Sequence, residues 1–237
     1  MVVRWLALEP IAPGLWDSLA RLLDDAERAR AARFHFARDR DAYVAAHALA
    51  RTMLSGEVRR PPSDWRFAVN DHGKPEAICD PGAPALRFNL SHTRGLVAVA
   101  LTMAHDIGVD VEIVEPRRLG LDLAARMFAS AEVAMLRATA EADLPEAMFA
   151  IWTLKEACIK AMGRGLSVPL DAFALELDPL AVRFPALPGE DPAHWLLRRF
   201  RPTPAHTLAL ALRHPDPGAV CIDAGAITAS QMLALVG

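Results

Sequence analysis

A chain of 237 residues with 53% hydrophobic and 23% charged side chains holds enough apolar material for one large domain or two small ones, which excludes a disordered polymer. Its formal net charge of -3 creates no field that would draw the whole molecule to nucleic acid or to an anionic membrane, so any anion site must be local. No apolar run approaches the roughly 20 residues of a membrane span, and the run before Pro10 is too short for a secretion signal. Cys79, Cys158 and Cys221 are odd in number and far apart, which fits neither a disulfide framework nor a zinc pattern and points to a reducing, cytoplasmic compartment.

Residues 1–10 predict a strand. Residues 15–40 alternate apolar and charged positions at helical spacing, and 43–54 continue as an Ala-rich helix. Arg59-Arg60-Pro61-Pro62 stops it, because proline lacks the amide donor and clashes with the preceding turn. A short strand is expected over 65–69. Turn residues dominate Asn70-Asp71-His72-Gly73-Lys74-Pro75 and 80–84. Partial period-two patterning and β-branched content predict strands over 86–90, 96–102 and 107–114. Helical spacing returns over 121–128, 130–142 and 146–162, with Ser130 and Glu132 suited to a helix start and Gly163-Arg164-Gly165 to a helix stop. Further strands are expected over 173–177, 195–200 and 207–212. Strands and helices that do not strictly alternate indicate an α+β fold. A boundary is placed near 104–106, where a polar interruption separates two strands, although a plain hairpin loop would look the same.

Four clusters carry chemistry. In Gly108-Val109-Asp110-Val111-Glu112-Ile113 the period-two rule puts Asp110 and Glu112 on one strand face. That face is either a carboxylate pair or an ordinary solvated surface. Trp152, Glu156 and Lys160 stand four residues apart on one helix face, as a mixed aromatic, acid and base group or as a surface ion pair beside a core tryptophan. In Phe88-Asn89-Leu90-Ser91-His92 the adjacent serine and histidine would point to opposite strand faces. They are therefore not a nucleophile and its base, yet both suit phosphate oxygens, or else a structural turn. Gly73-Lys74-Pro75 is a rigid turn with a cation at its centre, where the glycine permits close backbone approach. Arg28, Arg30, Arg33, Arg38 and Arg40 could form an anion-binding face, partly offset by Glu27, Asp39 and Asp41.

Taken in order, Gly73-Lys74-Pro75, Phe88 to His92, Gly108 to Glu112 and Trp152-Thr-Leu-Lys155-Glu156-Ala-Cys-Ile-Lys160-Ala-Met-Gly163-Arg-Gly165-Leu166 resemble the surfactin-type (Sfp-type) 4'-phosphopantetheinyl transferases. The resemblance implies a pseudo-two-fold pair of similar α+β halves, residues 1–105 and 106–237, with coenzyme A and a metal in the cleft between them. It implies transfer of the 4'-phosphopantetheine arm of coenzyme A to a serine of an apo acyl or peptidyl carrier protein, releasing adenosine 3',5'-bisphosphate, as a holo-[acyl-carrier-protein] synthase does. It casts Asp110, Glu112 and Glu156 as ligands of magnesium, with manganese as an alternative. Glu156 becomes the general base, Lys160 and Lys155 stabilise the diphosphate, and Gly73, Lys74, Pro75, Ser91, His92 and Arg30 contact coenzyme A. His72 stands where some members carry an aromatic residue. A monomer would suffice, since the dimer is internal, and neither nucleic acid nor membrane is expected as a partner. Two alternatives use the same site: a metal-dependent diphosphate hydrolase acting on coenzyme A, and a non-catalytic coenzyme A binding protein.

Overall fold

The computed structural model describes residues 1–9, 11–83, 85–115 and 120–236. Strand β1 (Val2–Ala7) is followed by the helices α1 (Trp16–Arg21), α2 (Asp25–Ala31) and α3 (Ala37–Glu57). Two hairpins come next, β2 (Phe67–Val69) with β3 (Pro75–Ala77) and β4 (Leu86–Thr93) with β5 (Leu96–Met103). Beyond them lie β6 (Asp106–Ile113), α4 (Leu121–Met127), α5 (Ser130–Ala138) and α6 (Leu144–Met162). The chain continues with β7 (Ala174–Leu177), β8 (Leu180–Arg183), β9 (Trp195–Thr203), β10 (His206–Arg213), β11 (Asp223–Ala226) and α7 (Ala229–Ala234). The fold is α+β, as expected. Among the described residues no helix is long and apolar enough to cross a membrane.

Residues 15–40, expected as one helical stretch, are two short helices and the start of a third. The break lies at Asp24, whose side chain accepts a hydrogen bond from the Glu27 amide at 2.9 Å while the Glu27 carboxylate accepts one from the Asp24 amide at 3.3 Å. This reciprocal capping box starts a new helix where the apolar spacing alone would have continued the old one.

Two compact units result, one of Met1–Ala104 with Cys221–Gly237 and one of His105–Val220. Residues 221–237, which a division at 105 gives to the second half, pack with the first unit. Strand β11 pairs in parallel with β1, from Val2 opposite Asp223 to Trp5 opposite Ala226, and Arg4 holds the Asp223 carboxylate at 2.5 Å. In this unit the sheet runs β11-β1-β5-β4, and α3 packs on β4 and β5. Small side chains at Ala45, Ala46 and Ala48, all fully buried, let the helix lie close to the strands, and Leu49, Leu54 and Trp65 fill the remaining space.

The second unit has the antiparallel sheet β6-β10-β9, with α6 packed against β6 and β10. Gly108 lies opposite Ala211, Asp110 opposite Ala209 and Glu112 opposite Thr207, so these six residues share one sheet face. Helix α6 lies directly on it. A Cβ at position 108 would stand 2.0 Å from the Ala157 carbonyl oxygen and 2.5 Å from the Ala161 nitrogen, both helix backbone. Gly108→Ala should therefore force α6 off the sheet and destabilise the unit by about 1–3 kcal/mol or more, the usual range for overpacking. Urea unfolding of the variant checks this, and an unchanged midpoint would count against the close packing described here.

Candidate active site and ligand pocket

Asp110, in the middle of β6, is only 5% exposed, which rules out the solvated-surface alternative for this strand face. The Lys160 ammonium, two turns from the start of the Trp152–Lys160 stripe, donates to Asp110 Oδ1 at 2.7 Å and to the Val109 carbonyl at 3.2 Å. Glu156, one turn earlier on the same face of α6, is half-buried. Burial pushes its carboxyl above the ordinary carboxylate range; Asp110 and Glu112 raise it further, and Lys160 opposes them. Thus Asp110, Glu112, Glu156 and Lys160 form one electrostatic group, and Trp152 packs towards Phe128 with ring centres 6.4 Å apart. Among the described residues no three His, Cys, Asp or Glu side chains converge as a ready-made metal cage. The donors are nonetheless all carboxylate oxygens, the kind that hard divalent cations take.

Lys155 is not brought to this group. Its side chain is completely buried on another face of α6, where Nζ donates to the carbonyls of Leu170 (2.6 Å) and Phe173 (2.7 Å) and contacts Glu132 Oε1 at 2.9 Å. Glu132 in turn accepts from the amides of Ala129 (2.9 Å) and Leu175 (2.8 Å). Three acceptors around Nζ match the three donors of an ammonium, so the pair is ionic although burial pushes the lysine down and the glutamic acid up. Lys155 is a tether between α6, α5 and the 170–173 turn. One residue of helix rotation, about 100°, separates it from Glu156.

The first unit contains a pocket of about 250 Å³, lined among others by Arg30, Tyr43, His47, Phe67, Pro75, Phe88 and Leu90. The Tyr43 and His47 rings, one helical turn apart on α3, stack at 3.9 Å, and the Arg30 guanidinium lies 5.5 Å from the Tyr43 ring centre. Pro75 reaches the wall through the turn before it. Asn70 Oδ1 accepts from the amides of His72 (3.0 Å) and Lys74 (2.9 Å), and Gly73 turns the chain at φ +86°. Ser91 is buried within β4 and its neighbour His92 is exposed, the alternation expected of consecutive strand residues. Burial drives the His47 imidazole down to about 4, helped by the charges of Arg30, Arg51 and His92 and opposed by its hydrogen bond to the Tyr43 carbonyl. Burial likewise pushes the Tyr43 phenol up to about 12. Both rings thus enter the pocket uncharged at neutral pH, leaving Arg30 and Arg66 as its cations.

The 4'-phosphopantetheinyl transferase superfamily model matches residues 106–212, and a model of the N-terminal region of such transferases matches residues 9–104. The chain is 30% identical over 193 residues to the 4'-phosphopantetheinyl transferase Sfp of Bacillus subtilis, covering 80% of this chain and 82% of that protein. The chain belongs to the 4'-phosphopantetheinyl transferase superfamily. The transferase HetI of a Nostoc species is 33% identical over 68% of each chain. A rat L-aminoadipate-semialdehyde dehydrogenase-phosphopantetheinyl transferase is 26% identical over 86% of this chain and 72% of that one. These matches leave the hydrolase and binding-only alternatives without support. The motif residues fall in two sets, Gly73, Lys74, Pro75, Ser91 and His92 in the first unit, where the candidate Arg30 also lies, and Asp110, Glu112, Glu156 and Lys160 in the second.

Nothing in the residue pattern singles out Glu132 beyond a helix start, or Tyr43, His47 and Phe67 as pocket walls. For Glu132 a signal exists, since an acid at the third helical position reaches back to the N-cap amide, here that of Ala129. The pocket aromatics become neighbours only through tertiary packing.

Lys155→Met should lower stability by about 3–5 kcal/mol by leaving the Glu132 charge buried without its partner, whereas Glu156→Gln should shift it by less than about 1 kcal/mol. Thermal unfolding of both separates tether from site. His47 supplies a pH dependence: unfolded it takes a proton near its ordinary value of about 6.5, and folded only near 4, so its contribution is complete above pH 6.5 and is lost as pH falls towards 4. The loss should reach about 3 kcal/mol and be absent in His47→Gln. Urea midpoints of both proteins between pH 7 and pH 4 should converge, and a constant gap would contradict the burial of a neutral imidazole.

Proposed function

We propose that the chain transfers 4'-phosphopantetheine from coenzyme A to a carrier-protein serine through Asp110, Glu112, Glu156 and Lys160, with coenzyme A held by Arg30, Gly73, Lys74, Pro75, Ser91 and His92. The observation that carries this reading is the pair of buried Asp110 and half-buried Lys160 at 2.7 Å beside a Glu156 whose proton affinity is raised. A carboxylate with raised proton affinity is a better acceptor for the proton of a serine hydroxyl at neutral pH. The serine oxygen attacks the β-phosphorus of coenzyme A as its proton passes to Glu156. The bond to the leaving phosphate then breaks, and adenosine 3',5'-bisphosphate departs. Lys160, already directed at an anionic oxygen, offsets negative charge that builds on the diphosphate. Ser91 and His92 serve as phosphate contacts, and the serine that reacts belongs to the partner.

Asp110, Glu112 and Glu156 would hold magnesium, or manganese in its place. When bound, the ion would neutralise diphosphate charge and relieve repulsion among the three acids. Lys155 is assigned no chemical step, because its three donors are spent on Glu132, Leu170 and Phe173. On this proposal the protein acts as a monomer in the cytoplasm, in keeping with free Cys79, Cys158 and Cys221.

Incubation with coenzyme A, magnesium and a set of apo acyl and peptidyl carrier proteins, read by intact carrier mass, tests the proposal. A phosphopantetheine adduct is expected on at least one carrier. Asp110→Ala and Glu156→Gln should each reduce transfer by about 100-fold or more while remaining folded. Full activity in both variants would show that the acids are not the site.

A further inference from the structure

The pocket of the first unit is assembled from segments distant in sequence, and one buried side chain joins them. Arg51, on α3 and completely shielded from solvent, donates from Nε to Glu27 Oε2 and from Nη2 to Asp24 Oδ2, each at 2.7 Å. Both acceptors belong to the capped start of α2. Its Nη1 donates to the carbonyls of Pro62 (2.6 Å) and Trp65 (3.1 Å), in the segment that leads into β2. The guanidinium also lies over the Phe67 ring, 4.9 Å from its centre. Asp24, Glu27, Arg66 and Phe67 are pocket walls, and Arg30 stands one turn beyond Glu27 on α2.

We infer that Arg51 is the positioning residue of this pocket, holding α2 and the entry to β2 at the spacing that presents Arg30, Tyr43 and Phe67 to one flat, anionic ligand. The inference rests on the proposal that this ligand is coenzyme A. A guanidinium carries its donors in a rigid planar fork, so two neighbouring segments bonded to it are fixed in both distance and direction. Lysine, with a flexible stem and a point charge, would hold the charge without the geometry. Stability alone is a weak reason for such an arrangement, because apolar side chains of similar volume often replace a buried ion pair at no loss. The charge has a second use. Two carboxylates in the wall of an anion pocket would repel its ligand, and Arg51 draws both Asp24 and Glu27 inward. Being sealed from solvent, Arg51 acts through these neighbours and not by touching the ligand.

Calorimetric titration with coenzyme A, together with transfer kinetics on an apo carrier protein, tests the role in four variants. Arg51→Lys should raise Kd and KM for coenzyme A about ten-fold, with kcat and the carrier KM unchanged. Asp24→Ala gives a test of sign, since deleting a negative charge from an anion pocket would by itself tighten binding, whereas a displaced α2 should weaken it several-fold. Met232→Ala, in the core of the same unit but away from the pocket, should lower the melting temperature and leave Kd as it was. Arg30→Ala should weaken binding directly. Unchanged or tighter binding in both Arg51→Lys and Asp24→Ala, alongside weakening in Arg30→Ala, would overturn the positioning role alone. No weakening in Arg30→Ala would overturn the assignment of coenzyme A to the pocket. Equal weakening in Met232→Ala would reduce the Arg51 effect to general loosening and also overturn the role. Should Arg51→Lys fail to fold, the direction of the Asp24→Ala shift decides.

Discussion

Helix α6 reaches strand β6 only because position 108 has no side chain. The backbone of Ala157 and Ala161 occupies the space where a Cβ would be, and Ala209 and Ala211 on the neighbouring strand keep the same face shallow. The charged group of Asp110, Glu112, Glu156 and Lys160 depends on this contact. It sets Glu156 and Lys160 beside Asp110, and by excluding water it raises the proton affinity of Glu156. Asp110 and Glu112 repel the Glu156 charge, and Lys160 offsets that repulsion from the helix itself. A larger residue at 108 would both part the layers and dilute that electrostatic group.

A second constraint sets the rotation of the helix. Lys155 and Glu156 are neighbours in sequence, yet the helical turn sends them to environments with opposite demands. The lysine is enclosed by Glu132 and two carbonyls, so α6 cannot turn about its axis without breaking charged hydrogen bonds in a dry interior. The direction of Glu156 is thereby fixed from the far side of the helix. Rigid support on the opposite face is what a site needs if its acids are to stay aligned. In the first unit Arg51 performs a comparable service for α2.

Much of this was legible in the chain. The period-two pattern of Gly108 to Ile113 predicted that Asp110 and Glu112 share a face, and the four-residue spacing of Trp152, Glu156 and Lys160 predicted another. What periodicity could not say is which face is covered. Glu132 lies in a stretch that looks like ordinary charged helix surface, Arg51 is the single charge of the Ala-rich run 43–54, and what each one pairs with is set by tertiary packing. Sequence adjacency groups Lys155 with Glu156 because it hides about 100° of helix rotation. The strands β3, β8 and β11 leave no clear pattern in the sequence for a related reason. Asp223-Ala-Gly-Ala has little intrinsic strand preference and is extended because β1 offers it a free edge. Helix α7 did carry a signal, Thr228 and Gln231 in a reciprocal cap, but its six residues were too few to show a periodic face.

The return of residues 221–237 to the first unit has a consequence for biosynthesis. Strand β11 and the fully buried Met232 are made after the whole of His105–Val220. At about 5–20 residues per second, the nascent first unit waits for several seconds with the outer edge of β1 unpaired and part of its core open. An unpaired strand edge is a template for wrong pairing. The pocket residues of this protein are therefore translated before the second unit, while the unit that holds them closes only after it.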